Sequence, residues 1–177
     1  MVKSKIEKRF EYKHRGRIGP DDRDEKSIRI LNRVVEWTED GIRYEADQRH
    51  AEIILEGLGL GGKNIKPVNA PGRKQSEEID RELDSSQASA YRGFVARANY
   101  LAQDRSDIQY AVKELSRTMS RPTVGCWERL KRLGRYLIGR SRSVQMFPYQ
   151  SEPNRLHVYT DSDFAGCIKS RKSSSGG

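Results

Sequence analysis

Cysteine is nearly absent from this 177-residue chain. Cys126 and Cys167 are far apart and show no C-x-x-C spacing. That excludes a disulfide scaffold and a cysteine zinc cluster, and it makes a reducing compartment the expectation. Apolar residues are also scarce, at 34%, and mean hydropathy is −0.88. No apolar run approaches the ~18 residues of a membrane span, so no membrane partner is expected. No charged-then-apolar leader opens the chain, so a secretory signal is not expected. The length corresponds to about one domain, or two small pieces, with a thin core that something outside the chain could complete.

Positive charge is what the chain has in excess. Lys and Arg number 34 against 25 Asp and Glu, a formal charge of +9, and the pI is near 9.7. Nine basic residues lie between positions 113 and 142, opposed by Glu114 and Glu128, so this stretch carries +7 of the total. An anionic partner is the first hypothesis, and an ordinary solvated face is its alternative. Residues 19–25 (GPDDRDE) read as an acidic turn, and 76–86 as an acidic linker.

Residues 6–18 are strand-like, with Phe10 and Tyr12 among charges, and 28–37 alternate well enough for a single strand. Thr38 to Gly41 form a turn, and 42–44 return as a strand. Asp47 is positioned to cap a helix over 48–58, with Ala51, Ile54, Leu55 and Leu58 at helical spacing and Gly59 as its stop. Residues 57–62 (GLGLGG) formally match G-x-G-x-x-G. The dinucleotide fingerprint needs a strand before and a helix after, whereas here a helix precedes and a linker follows.

After a Gly-, Pro- and charge-rich stretch, three helices are predicted, over 87–101, 107–119 and from Thr123 to about 138. The last places Trp127, Leu130, Leu133 and Leu137 on one arc. Arg129, Lys131, Arg132 and Arg135 fall largely on the other. Such guanidinium forks suit phosphate oxygens without reading sequence. A solvated helix face and a membrane-surface helix are the other readings of the same pattern. Strands are then predicted at Val144, Met146 and Phe147, and over 156–161, with Asp161 at the end of the second and Asp163 two residues on. Spacing alone makes Asp161 a turn or capping residue, since two-metal chemistry needs several carboxylates around ions about 4 Å apart. His14, His50 and His157 are isolated from one another, so no zinc site or nucleophile–base pair is read.

Several ordered motifs resemble one family. Tyr91-Arg92-x-x-Val95, Tyr100-Leu101-Ala102, Arg105-Ser106-Asp107-Ile108, Leu115-Ser116-Arg117, Pro122, Trp127, Lys131-Arg132 and Arg135-Tyr136-Leu137 are similar to the late reverse-transcriptase region of copia-type retrotransposon Pol polyproteins. Asp161-Ser162-Asp163-Phe164-Ala165-Gly166 and Arg171 to Gly176 resemble the opening of that family's ribonuclease H (RNase H) domain. Residues 27–72 fit more loosely, through a hairpin, a helix and Lys66-Pro67-Val68 with Pro71. The family usually has Pro where Ser106 stands and Trp where Phe164 stands. Its aromatic-x-Asp-Asp polymerase turn has no counterpart here, because Asp21-Asp22 follows Gly19-Pro20.

The resemblance implies an α+β fold: a small antiparallel hairpin or sheet, a helical thumb-like bundle of about four helices, and an incomplete RNase H-like β unit. The implied divisions are a palm-end hairpin over 1–46, a thumb helix over 47–60, a flexible linker over 61–86, a basic thumb or connection region over 87–142, and a truncated RNase H start over 143–177. It implies contact with an RNA/DNA hybrid or duplex, and the remainder of the Pol polyprotein as partner. Asp161 becomes the first RNase H-type carboxylate, a ligand for Mg2+ or Mn2+ in an intact relative, within a site this chain does not complete. Catalysis by the chain alone is therefore not expected. Arg129, Lys131, Arg132 and Arg135 are the candidate phosphate contacts on helical geometry, not on family assignment. A freestanding nucleic-acid-binding module and a degenerate transposon remnant are the alternatives.

Overall fold

A four-stranded antiparallel sheet and four helices make up most of the computed structural model, an α+β arrangement as the sequence implies. It describes residues 6–11, 13–62, 64–73, 81–152, 154–163, 171 and 173–176. The sheet runs β1 (Ser27–Ile30), β2 (Arg33–Thr38), β3 (Gly41–Glu45) and β4 (Val144–Pro148), in that spatial order. The predicted single strand over 28–37 is corrected: it is two strands joined at Leu31 and Asn32. Both residues have positive φ, 49° and 63°, and Ile30 sits opposite Arg33, so the loop is the two-residue kind that twists with its strands.

Residues 6–18 are also corrected. The Ile6 carbonyl accepts from the Arg9 and Phe10 amides at 2.9 Å each, closing a turn. Among the described residues of this segment, only Ile18 makes a bridge, to Glu25. This segment is mostly charged and offers no apolar face to bury against a neighbouring strand. The acidic turn beyond it is held by Lys26, whose ammonium donates to the carbonyls of Gly19, Pro20 and Asp21 at 3.0 Å each. The same ammonium lies 5.0 Å from the Trp37 ring centre.

Helix α1 (Arg49–Gly57) begins one residue later than expected. Gln48 is the cap, and Asp47 accepts from the Arg49 amide at 2.9 Å. Gly59, with φ +68°, ends the turn. Helix α2 (Ser85–Ala102) is capped by Asp84, which accepts from the Gln87 amide at 2.8 Å. Helix α3 (Gln109–Ser116) is shorter than the 107–119 predicted, and Asp107 lies before it, bonded elsewhere. Helix α4 (Val124–Gly139) starts where Thr123 predicts, with the Thr123 hydroxyl accepting from the Cys126 amide.

Helix α2 packs against the other three. Tyr91, Val95, Ala98 and Leu101 on α2 meet Ile54 of α1, Val112 and Leu115 of α3, and Leu130, Leu133 and Leu137 of α4, all essentially buried. Gly134 of α4 lets the turn that follows α1 approach: a methyl there would stand 2.5 Å from Leu60 Cδ1 and 3.3 Å from Leu58 Cδ1. The leucines between the glycines of 57–62 thus serve helix packing.

The sequence pattern groups Val144, Met146 and Phe147 with the later β unit. They lie instead in β4, the fourth strand of the first sheet, with Gln145 opposite Tyr44 and Phe147 opposite Ile42. The strand predicted over 156–161 is corrected. Residues 154–160 lie in no ladder, and Leu156 is 89% exposed. A short pair, β5 (Asp161–Asp163) with β6 (Ser174–Gly176), follows.

Candidate nucleic-acid interface

Two polar clamps fix the helices to one another and to the sheet. In the first, Arg105 is 1% exposed and bonds Asp107 through both of its carboxylate oxygens. The Tyr136 hydroxyl of α4 donates to the same carboxylate at 2.9 Å. Burial pushes the Asp107 pKa up, but the bonds from Arg105 and Tyr136 outweigh it and hold the carboxyl below its usual value. In the second, Arg33 of β2 donates to Asp104 (2.6 Å) and to the Tyr100 hydroxyl (3.0 Å). Tyr44 of β3 donates to Asp104 at 2.7 Å. Gln145 of β4 reaches the Asp104 carbonyl at 2.6 Å.

Two further residues of the motifs quoted above are structural too. The Tyr91 hydroxyl donates to the Leu115 carbonyl at 2.8 Å and lies 2.9 Å from the Thr118 hydroxyl. Burial pushes that phenol up to about 12. Arg92 donates to the Met119 carbonyl at 2.8 Å.

The basic stretch is divided by its partners. Carboxylates meet Arg117 (Glu114), Arg121 (Glu82), Lys131 (Glu128, 3.1 Å) and Arg142 (Glu45, 2.6 and 2.7 Å). Arg129 donates to the Cys126 sulfur at 3.1 Å. Burial raises the Cys126 pKa, yet the hydroxyls of Thr118 and Thr123 and the Arg129 guanidinium bring it below the usual thiol value. Arg132 and Arg135 differ. Their Nε atoms donate to backbone carbonyls, Arg132 to Gly72 at 3.2 Å and Arg135 to Lys66 at 2.8 Å. A neutral carbonyl takes one of five donors and cancels no charge. All four predicted residues are half-buried, so the helix face is less open than periodicity suggests.

What covers that face is the segment 64–73, which composition marks as linker. It runs back along α4, with Pro67 against Gly139, Val68 against the core and Gly72 beside Ala111. The described residues on its far side are fastened as well: the Leu83 amide donates to the Pro122 carbonyl, and the Val124 amide to that of Arg81, both at 2.9 Å. Lys66 and Arg73 are exposed cations on this segment that helical spacing could not flag. Their signal in the sequence was a basic residue at each end of a stretch stiffened by Pro67 and Pro71.

Asp161 opens β5, opposite Gly176. The side chains of Asp161 and Asp163, and the whole of 164–170 with Cys167, lie outside the described residues. Among the described residues, no three His, Cys, Asp or Glu side chains gather as a metal group. Among them also, no helix is long and apolar enough to cross a membrane.

Comparison with known proteins supplies relatives. An uncharacterised mitochondrial protein of Arabidopsis thaliana is 30% identical over 140 residues, covering 75% of this chain and 54% of that protein. The retrovirus-related Pol polyprotein from transposon RE2 of Arabidopsis thaliana is 43% identical over 76 residues, 43% of this chain and 5% of the polyprotein. That from transposon TNT 1-94 of Nicotiana tabacum is 32% identical over 139 residues, 74% of this chain and 10% of the polyprotein. The chain is a relative of the copia-type retrotransposon Pol polyproteins. It spans about half the length of the mitochondrial relative and a tenth or less of these two polyproteins. No protein-family model and no solved structure matches it. Among the residues of the motifs quoted above, Arg105, Asp107 and Tyr136 build the first clamp, and Tyr91 joins α2 to α3 through the Leu115 carbonyl.

Proposed function

We propose that this chain is a rear portion of a copia-type reverse transcriptase and that helix α4 lies against the phosphate backbone of the template–primer duplex. The likeness to Pol polyproteins supports the first part. The observation that carries the second is the pair Arg132 and Arg135, two guanidinium groups whose partners are neutral carbonyls, one turn apart on a helix. Residues three apart on a helix lie about 5–6 Å apart at Cβ, close to the spacing of successive phosphates. Of the other two candidates, Arg129 has the Cys126 sulfur as its partner and Lys131 is paired with Glu128. Such a grip follows backbone shape and weakens as salt rises.

Polymerisation and RNA cleavage belong, in this reading, to the longer protein. The chain has no aromatic-x-Asp-Asp turn. Asp161 would supply one carboxylate of a larger set that holds Mg2+ or Mn2+ in an intact relative. A labelled RNA–DNA hybrid tests the reading by fluorescence anisotropy at low salt. The full chain should bind it, and Arg132→Glu with Arg135→Glu should weaken binding at least tenfold. Equal affinity in the variant overturns the α4 interface. Primer extension by the purified chain overturns the non-catalytic part.

A second reading has one observation in its favour. Matched residues make up 54% of the mitochondrial relative but 10% of the TNT 1-94 polyprotein, so a Pol-like segment also occurs in a much shorter protein. A freestanding nucleic-acid-binding module is that reading, and it shares the same predicted interface.

A further inference from the structure

We propose that the segment 64–73 is part of the duplex-binding surface: it positions Arg132 and Arg135 for phosphate and adds Lys66 and Arg73 to the track. This rests on the reading of α4 as a duplex-contacting face and names the second element of that face.

Three observations carry it. The first is how the two arginines are held. A long arginine chain loses rotamer freedom when it grips a phosphate, and that loss weakens binding. Here the Lys66 and Gly72 carbonyls already fix each guanidinium at its Nε. The cost is met on folding, and the terminal nitrogens of each fork keep the donor geometry that suits a phosphate. The contrast with Arg142 is instructive. Its fork is consumed by both oxygens of Glu45, and the pair presents little net charge.

The second observation is how firmly the segment is seated. Val68 packs on the helical core, and its amide donates to the Arg135 carbonyl at 3.4 Å. Gly139 leaves room for Pro67, since a methyl there would stand 3.0 Å from the proline Cβ. Pro67 and Pro71 hold their φ angles near −65°, which favours an extended path over a collapsed loop. The third observation is charge. Residues 64–73 contain Lys66 and Arg73 and no acid, and both cations are exposed. They extend the line of Arg132 and Arg135 at either end.

Two variants of the full chain test this against a labelled RNA–DNA hybrid over a salt series. Lys66→Ala with Arg73→Ala touches exposed side chains only. It should flatten the slope of log affinity against log salt by about 1.8, at about 0.9 for each phosphate no longer neutralised. Val68→Ser loosens the seat without touching a cation. Faster amide exchange at residue 68 confirms release, and unchanged circular dichroism confirms the helices. Affinity should then fall about tenfold with Arg132 and Arg135 intact. A rise in affinity on release means that the segment competes with the duplex, and this overturns the proposal. An unchanged slope in the first variant overturns it also, and that arm alone decides if Val68→Ser fails to fold. Loss of the parent reading is distinct: Arg132→Glu with Arg135→Glu would then leave wild-type affinity unaltered.

Discussion

The Arg105 guanidinium closes on the Asp107 carboxylate through two bonds, Nε to Oδ1 at 2.8 Å and Nη2 to Oδ2 at 2.7 Å. With the Tyr136 hydroxyl on the same carboxylate, the pair ties the turn before α3 to α4. Asp107→Ala leaves a buried guanidinium without its partner and should lower stability by about 3 kcal/mol in urea denaturation. Asp107→Asn should cost less. The folded pKa of Asp107 lies below its unfolded value. Its contribution is therefore full above about pH 4 and is lost as pH falls through the folded value. The acid limb of the stability curve should be shallower in Asp107→Asn than in the wild type.

The pKa of His50 is also lowered, but by burial and not by hydrogen bonds to its charged form. Burial lowers its pKa, Asp47 at 3.8 Å partly offsets this, and Arg49, Arg97 and Arg33 add to the lowering. Its ring lies 4.6 Å from that of Tyr100, and its Nδ1 is buried without a hydrogen-bond partner. The unfolded chain thus binds the proton more readily. Stability should be full above about pH 6.5 and decline as pH falls from there towards the folded value. In His50→Gln the change in urea midpoint between pH 7 and 5 should be smaller than in the wild type.

The sheet should prove energetically coupled to the helices through Arg33 and Asp104, whose side chains are 16% and 11% exposed. A double-mutant cycle with Arg33→Ala and Asp104→Ala should give a coupling of about 1–3 kcal/mol. Tyr44→Phe removes one bond to the same carboxylate and should cost about 1 kcal/mol. Additive effects of the two alanine variants would mean that the clamp holds nothing together.

Gly41 is a strand residue whose backbone leaves no room for a side chain. Its φ is +156°, and an added methyl would stand 2.2 Å from the Phe147 carbonyl oxygen. Gly41→Ala must push β3 and β4 apart and should cost about 2–3 kcal/mol. Amide exchange should rise along β4 more than along α4.

Local signals in the sequence were good guides to local structure. Thr123, Gly59 and the Thr38–Gly41 turn each mark a boundary found in the fold, because capping and turn chemistry act over a few residues. The break between β1 and β2 was hidden because Leu31 at positive φ has no compositional mark. Asn32 was the readable half of that signal. The pairing of β4 with β3 joins distant parts of the chain, and no local pattern encodes it. The candidate interface was legible as charge but not as geometry. The acceptors that fix Arg132 and Arg135 are backbone carbonyls of a segment that composition marks as linker, and carbonyls have no letter in the sequence.

The most direct measurement is the affinity of the full chain for an RNA–DNA hybrid as a function of salt, beside that of Arg132→Glu with Arg135→Glu. Log affinity should fall linearly with log salt, with a wild-type slope of about −2 to −4 at about 0.9 per phosphate, and the slope should be shallower by about 2 in the variant. A wild-type affinity indifferent to salt, or parallel lines for the two proteins, would contradict a phosphate-gripping face on α4.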